Sequence, residues 1–415
     1  MSEDYKEKVN AANTSVFRKA EKPVNEEIEK TLNTKIKRFR DAQQWKRPDQ
    51  TPIMGHMITW QFTDAGYTLA EAGRDYEIKR ECMIRAIKLY KFDHINCINS
   101  MWRNTFKVND ALQAAGGPGD VMFNAEGNNV NVSFERLIDI EDLPLMLTDY
   151  NRVMWEKALP RRYPAVKNYT PEQFAKAAEV MVELNEKRER YDKEIRYVYG
   201  EPLEMETLHF GTNLDDLFNT LIGIKTLGVE IRRHGDEIYD YCMKADDARW
   251  NGFKAAADSL EEVSECYDYT SGMLSSVILS RKQFERFHAP YLRKFLGYAQ
   301  ERGKQTYWWT EGSFDHIGDF YNDYKKGTVT LMIETDDPFE IRKKYPNICL
   351  QGGLNTYTLG MGTKEENIRD AQKAIDELGH DGGLVLAANK MLTYASDMKG
   401  ENFQAVCEFV GQYKG

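Results

Sequence analysis

Apolar positions along the chain follow two rhythms, one of helical period and one of short runs. Ile28, Leu32, Ile36 and Phe39 recur at helical spacing and predict an amphipathic helix over Glu26 to Ala42, lying on the main body. Arg47-Pro48-Asp49-Gln50-Thr51-Pro52 ends it. Beyond Pro52, strand-sized runs fall at Pro52 to Gly55, His94 to Ile98, Leu203 to Phe210, Val263 to Tyr269, Lys304 to Trp309, Thr328 to Glu334, Ile348 to Gln351 and Gly383 to Ala388. Helical patterns separate them: Asp75 to Tyr90, Leu214 to Leu227, Asp236 to Lys254, Arg281 to Arg302, Asp315 to Lys326, Pro338 to Tyr345 and Lys364 to Leu378. Strand alternating with helix predicts a parallel sheet, and this many units predicts an α/β (β/α)8 TIM barrel rather than an open sheet.

Residues 110–200 interrupt the rhythm. Ala114 to Asp120 reads as a loop, Asn124 to Val132 as a small hairpin, and Phe174 to Arg196 as a long charged helix suited to solvent or a subunit contact. The resulting division is an N-terminal helical extension over 1–50, then a barrel over 51–415 with an insertion at about 110–200.

Composition narrows the function classes. The chain of 415 residues is 41% hydrophobic and 29% charged, ample for a large core. A net charge of -10, without a basic stripe, lacks the footprint of a nucleic-acid binder. No apolar run approaches the roughly 20 residues of a membrane span, and the N-terminus has no apolar signal region. Six scattered cysteines without a CxxC pair fit a reduced, cytoplasmic compartment.

Barrel enzymes place their chemistry at the C-terminal strand ends, so polar residues at or after each run become candidates. They include His56, Asn99 and Arg103, His209, Tyr267 and Asp268, Trp308, Trp309 and Glu311, Glu334, Asn355, and Asn389 with Lys390. Glu311, in Trp-Trp-Thr-Glu-Gly, is the least easily explained by structure alone; Ser313 and Asp315 beside it also suit a helix start. The tryptophans suit packing or substrate stacking. His234, His288 and His380 fall on or beside helices and read as surface residues. No GxGxxG, GxxxxGK[ST] or GxSxG pattern occurs.

The order of several segments resembles the uroporphyrinogen decarboxylase superfamily. These are Pro52-Ile53-Met54-Gly55, Tyr267-Asp268-Tyr269, Phe287-His288-Ala289-Pro290-Tyr291-Leu292, Gln351-Gly352-Gly353, Gly362-Thr363-Lys364 and Gly382-Gly383-Leu384. The likeness runs in order over roughly 50–410, and it implies a (β/α)8 barrel. It also implies one of two activities: a cofactor-free decarboxylase, or a cobalamin-dependent methyltransferase.

Two departures choose between them. Where thiol-using methyltransferases carry a His-x-Cys zinc motif, this chain reads Trp309-Thr310-Glu311, and after the last strand Ala388-Asn389-Lys390. The segment matching the decarboxylase's arginine-rich grip, Gly55 to Ala65, has no arginine or lysine. A porphyrinogen's many carboxylates would need such cations.

The resemblance therefore implies a methyltransferase of the O-demethylase type. Its methyl acceptor would be the cob(I)alamin of a separate corrinoid protein, since no Asp-x-His-x-x-Gly signature occurs here. The donor would be a small methyl compound, an aromatic methyl ether being favoured by Trp60, Tyr267, Trp308 and Trp309, with Asn389 beside them. The leaving oxygen must be protonated or held by a Lewis acid. Two arrangements stay open: zinc on Glu311, Glu334 and His209, or a carboxylic acid of raised pKa, Glu311 first. The alternative is a metal-free decarboxylase or lyase with Asp268 and His56 as acid and base. A homodimer is compatible with the resemblance and the charged extra helices.

Overall fold

The computed structural model describes residues 23–95, 121–123, 130–132, 136–162, 168, 170–202, 208–259 and 265–413. Its strands are β1 (Met54–Gly55), β2 (His94–Ile95), β3 (Val121–Phe123), β4 (Val130–Val132), β5 (Leu208–His209), β6 (Tyr269–Gly272), β7 (Thr306–Trp309), β8 (Val329–Met332), β9 (Cys349–Leu354) and β10 (Leu384–Ala388). β3 and β4 pair antiparallel; β4 falls within the expected Asn124 to Val132 stretch and β3 just before it, and residues 124–129 lie outside the described set. The other eight strands are parallel to their neighbours.

Strands β5 to β10 form one sheet in sequence order, and β1 pairs with β2. Ile53, next to β1, bridges Leu386 of β10 in the parallel sense. The neighbour order is therefore β2-β1-β10-β9-β8-β7-β6-β5, in which the last strand stands beside the first. That is the cyclic order of a (β/α)8 barrel. The β2–β5 pairing that would complete the ring falls beside residues 96–100 and 203–207, outside the described set, as do Asn99 and Arg103.

The principal helices are α1 (Glu26–Gln43), α2 (Tyr76–Tyr90), α3 (Pro171–Tyr199), α4 (Gly235–Ser259), α5 (Ala289–Glu301), α6 (Pro338–Lys344), α7 (Lys364–Ala374) and α8 (Gly400–Gln412). Local chemistry starts several of them. Asn25 accepts the Ile28 N–H at 2.9 Å ahead of three glutamates in the first turn of α1. Thr363 and Glu366 form a reciprocal cap on α7. Three helices differ from the sequence expectation. Leu214 to Leu227 is interrupted at Gly223, whose φ of +88° precedes a separate helix, Ile224–Arg233. Arg281 to Arg302 is divided into Arg281–Phe287 and α5, because Pro290 lacks an N–H and occupies the first turn of a new helix. Asp315 to Lys326 contains only a 3-10 segment, Gly318–Asp323.

Side chains alternate across the strands, and β7 shows the consequence. Tyr307 joins an inner cluster with Met54, Tyr267, Met332, Cys349, Val385 and Ala387, which Phe39 of α1 closes from below; Trp309 packs on it. Trp308 faces the opposite way, into the layer between sheet and helices with Phe295 and Tyr321. A second apolar cluster joins part of the insertion, Leu137 to Ala158, to Leu214, Leu217, Leu227 and Tyr241. The structure thus has a barrel-ordered body with a plugged base and a helical lobe at one side.

Candidate functional site

The loops after β7 and β8 bring together two carboxylates. Glu311 follows Trp309 by two residues, and Gly312 then turns the chain with φ +75°. At that φ an L side chain is strained, and a Cβ would lie 3.2 Å from Val277 Cγ1, so glycine suits this corner twice over. The corner aims the Gly312 N–H at Glu334 Oε2, which accepts it. Ser313 Oγ and the Phe314 N–H donate to the two oxygens of Asp336, the second at 2.8 Å, tying the β7 loop to the β8 loop.

Asn389 braces the neighbouring rim. Its Nδ2 donates to the Glu334 carbonyl at 2.9 Å, and its Oδ1 accepts from the Thr356 N–H and Oγ1 at 2.9 and 3.0 Å. All three contacts are within the protein, so Asn389 holds the loops after β8, β9 and β10 in place.

No cation pairs with Glu311 or Glu334 among the described residues. Crowding by nearby protein atoms, although the side chain is exposed to solvent, and then the facing charge of Glu334, push the Glu311 carboxyl above its ordinary pKa. Beside it Thr310 is fully buried, and its Oγ1 has no partner among the described residues. A carboxyl whose pKa is raised holds its proton to higher pH than an ordinary glutamate, which favours donating it to a departing oxygen.

Two histidines complete the inventory. His209, last in β5, stacks on Trp309 with centroids 5.6 Å apart, and its Nδ1 lies 3.2 Å from Thr270 Oγ1. Crowding by protein, then the charge of Arg249, lower its pKa to about 4, so it is neutral at pH 7. His56 directly follows β1 and is 2% exposed; burial lowers its pKa to about 4, and its Nδ1 has no partner among the described residues.

Several sequence candidates do not belong to this mouth. Asp268 precedes β6 and sits at the opposite end of the sheet. It accepts from Arg40 at 2.9 and 3.3 Å and from the Gln305 N–H at 2.7 Å, with Lys304 at 3.6 Å. Tyr267 is an inner core residue whose hydroxyl donates to Gln351 Oε1 at 2.7 Å, its ring stacked on Tyr307 at 4.5 Å. The sequence pattern puts both at a strand tip, because Val263 to Tyr269 reads as the strand. The strand instead begins at Tyr269 and carries the polar sequence Tyr-Thr-Ser-Gly.

Trp308 faces the helices, as its period-two position beside Trp309 requires. Trp60 is 1% exposed and spends its indole N–H on the Met398 carbonyl at 2.9 Å. Neither is available to a ligand. The proposed zinc set is likewise not gathered. Glu334 follows β8 and His209 ends β5, three strand spacings of about 4.8 Å apart around the sheet. Among the described residues no three His, Cys, Asp or Glu side chains converge to hold a metal.

One buried network went unnoticed in the sequence. His288 is fully buried rather than a surface residue, with Nδ1 2.9 Å from Thr212 Oγ1 and Nε2 2.7 Å from Ser275 Oγ. Asp215 joins by accepting the Ser275 N–H at 2.8 Å. It ties the β5 and β6 loops together. The apolar neighbours Phe284 and Phe287, and the Ala-Pro that follows, were the available signal.

Comparison with known proteins agrees with this architecture. Residues 267–413 match the family model "Uroporphyrinogen decarboxylase (URO-D)", which takes in the loops bearing Glu311, Glu334 and Asn389. No curated protein matches the chain. Among solved structures, a methyltransferase from Methanosarcina mazei is similar with a TM-score of 0.55 and 14% identity, over 92% of this chain and 99% of that one. A B12-independent methionine synthase from Shewanella sp. W3-18-1, in complex with selenomethionine, gives a TM-score of 0.35 and 8% identity, over 80% and 85% of the two chains. The first likeness establishes the fold that the two proteins share. The class defined is an α/β protein with strands in barrel order, whose C-terminal part matches that family model and which carries a carboxylate pair at the C-terminal strand ends.

No helix among the described residues is long and apolar enough to cross a membrane. The described cysteines, Cys82, Cys242, Cys266, Cys349 and Cys407, are free and buried.

Proposed function

We propose that this chain is the substrate-side methyltransferase of an O-demethylase type system, moving a methyl group from a small methyl ether to the cob(I)alamin of a separate corrinoid protein. The observation that carries the reading is the Glu311 carboxyl, held above its ordinary pKa on the rim of the fold. Cob(I)alamin, delivered by the partner, would supply the nucleophile that accepts the methyl group.

The part played by this chain is at the oxygen. As the methyl carbon–oxygen bond breaks, its electron pair remains on oxygen, and the proton of Glu311 transfers there to give the alcohol or phenol. An unprotonated alkoxide is a poor leaving group, so this step removes most of the penalty of departure. Glu334, fixed by the Gly312 N–H, adds its negative charge to the desolvation that raises the Glu311 pKa. His209 and Trp309 form a stacked wall on which an aromatic donor could lie. The donor geometry supports proton donation and not a zinc site, so no step is assigned to a metal.

The rim also suits a large visitor. Val277 and Ile278 after β6, Tyr357 and Met361 after β9, and Tyr394 after β10 are apolar side chains left exposed on the C-terminal loops. Such patches mark surfaces that meet a partner. The lyase alternative loses its acid, because Asp268 is neutralised by Arg40 at the far end. The test is anaerobic incubation with cob(I)alamin and a panel of methoxylated arenes, followed by absorbance. Loss of cob(I)alamin that depends on both enzyme and donor is expected. Product formed from the donor at the same rate without any cobalamin would overturn the reading.

A further inference from the structure

The helical lobe bears an open-sided cavity of about 540 Å³, separate in its lining from Glu311 and Glu334. That volume falls in the range of small-molecule sites, about 300–1,000 Å³. One wall is the described part of the insertion, with Tyr150, Met154 and Arg162. The other is the segment after β5 together with α4, with Tyr241, Lys244 and Arg249.

The charges in this cavity are unevenly satisfied. Arg249 is committed: it donates to the Gly211 carbonyl at 2.9 Å and to Asn213 Oδ1 at 3.0 Å, and it pairs with Asp216 at 2.5 Å. Arg162 and Lys244 have no ion-pair partner among the described residues; Lys244 stands exposed at the rim, and the Arg162 Nε is buried without an acceptor. A buried donor left unpaired is costly, and a ligand acceptor would relieve it. Tyr241, 5% exposed, has a hydroxyl with no hydrogen-bond partner among the described residues. The remaining lining is largely apolar, including Met146, Leu147 and Leu221.

Two unmatched cations and a free phenol over an apolar floor define a complementary ligand. We propose that this cavity binds a small organic anion, a carboxylate or sulfonate carried on an aromatic or aliphatic body. The anionic group would lie against Arg162 and Lys244, where charge-assisted hydrogen bonds are strongest, with the body against Met154 and Tyr150. This site does not depend on the methyl-transfer reading.

Calorimetric titration of the full chain with 2-naphthoate, and with uncharged 2-naphthamide, tests it. One saturable site for naphthoate is expected, with naphthamide at least tenfold weaker. Lys244→Glu should weaken naphthoate at least tenfold, and Ala245→Trp, which fills the cavity and keeps both cations, should abolish binding. Melting temperatures of the variants check that they fold; if they do not, the naphthoate-to-naphthamide ratio of the wild type decides. Absence of saturable binding, equal binding of the two probes, or folded variants that bind as the wild type does would overturn the proposal. So would loss of binding in Glu311→Gln alone, which would move the site to the mouth.

Discussion

The two ends of the sheet use the same side chains for opposite purposes. At the N-terminal end every carboxylate that matters meets a cation from α1: Asp268 pairs with Arg40, Asp93 with Arg38, and Glu201 with Lys35. Phe39 of the same helix fills the space between them and the inner tyrosines. At the C-terminal end Glu311 meets Glu334 instead, and Gly312 supplies an N–H where a cation might have stood. The lesson is that partner and burial act together on a carboxylate. Burial raises the acid's pKa at both ends, to about 7 for Glu201; at the base a cation works against that rise, and at the mouth Glu334 adds to it.

That contrast can be broken from either side. The largest effect on stability is expected from Trp308→Ala, which empties a fully buried site between sheet and helices and should cost about 3–5 kcal/mol in a denaturant titration. Activity per folded molecule should be retained; a selective loss of activity would return Trp308 to the site. Asp268→Ala should come next. It leaves Arg40 and the Gln305 N–H without their acceptor and should cost about 3 kcal/mol, again sparing turnover of the folded fraction. If turnover fell more than stability, the base of the fold would have a chemical role.

The smallest change sharpens the other end. Glu334→Gln removes the negative charge facing Glu311, so the Glu311 pKa should fall toward its ordinary value. The active form carries the proton, and activity declines as pH rises through that pKa. The alkaline limb of the rate profile should therefore move to lower pH. An unmoved limb would mean that the group titrating there is not Glu311.

Much of the architecture was legible in local pattern, because each βα unit repeats the same alternation of short apolar run and amphipathic helix. The base-to-tip direction of β6 was not. Its tip carries Thr270, opposite His209, and Gly272, pressed against Trp309, so the strand lacks an apolar signature and the run before it takes its place. Trp308 and Trp309 were separable in principle, since adjacent strand residues face opposite sides. The Arg40–Asp268 pair, 228 residues apart in sequence, leaves no local trace. Glu311 and Glu334 stood out because each follows an apolar strand, and the tie through the Gly312 N–H became visible only in three dimensions.

The central claim is that Glu311 donates the proton that lets the methyl group leave. It is tested most directly by the rate of cob(I)alamin methylation from a methoxylated arene, wild type against Glu311→Gln, at a fixed pH below the alkaline limb. The account predicts a fall of about 10²–10⁴-fold with an unchanged melting temperature, the range usual for loss of a general acid. A Glu311→Gln enzyme that turns over at the wild-type rate would contradict it.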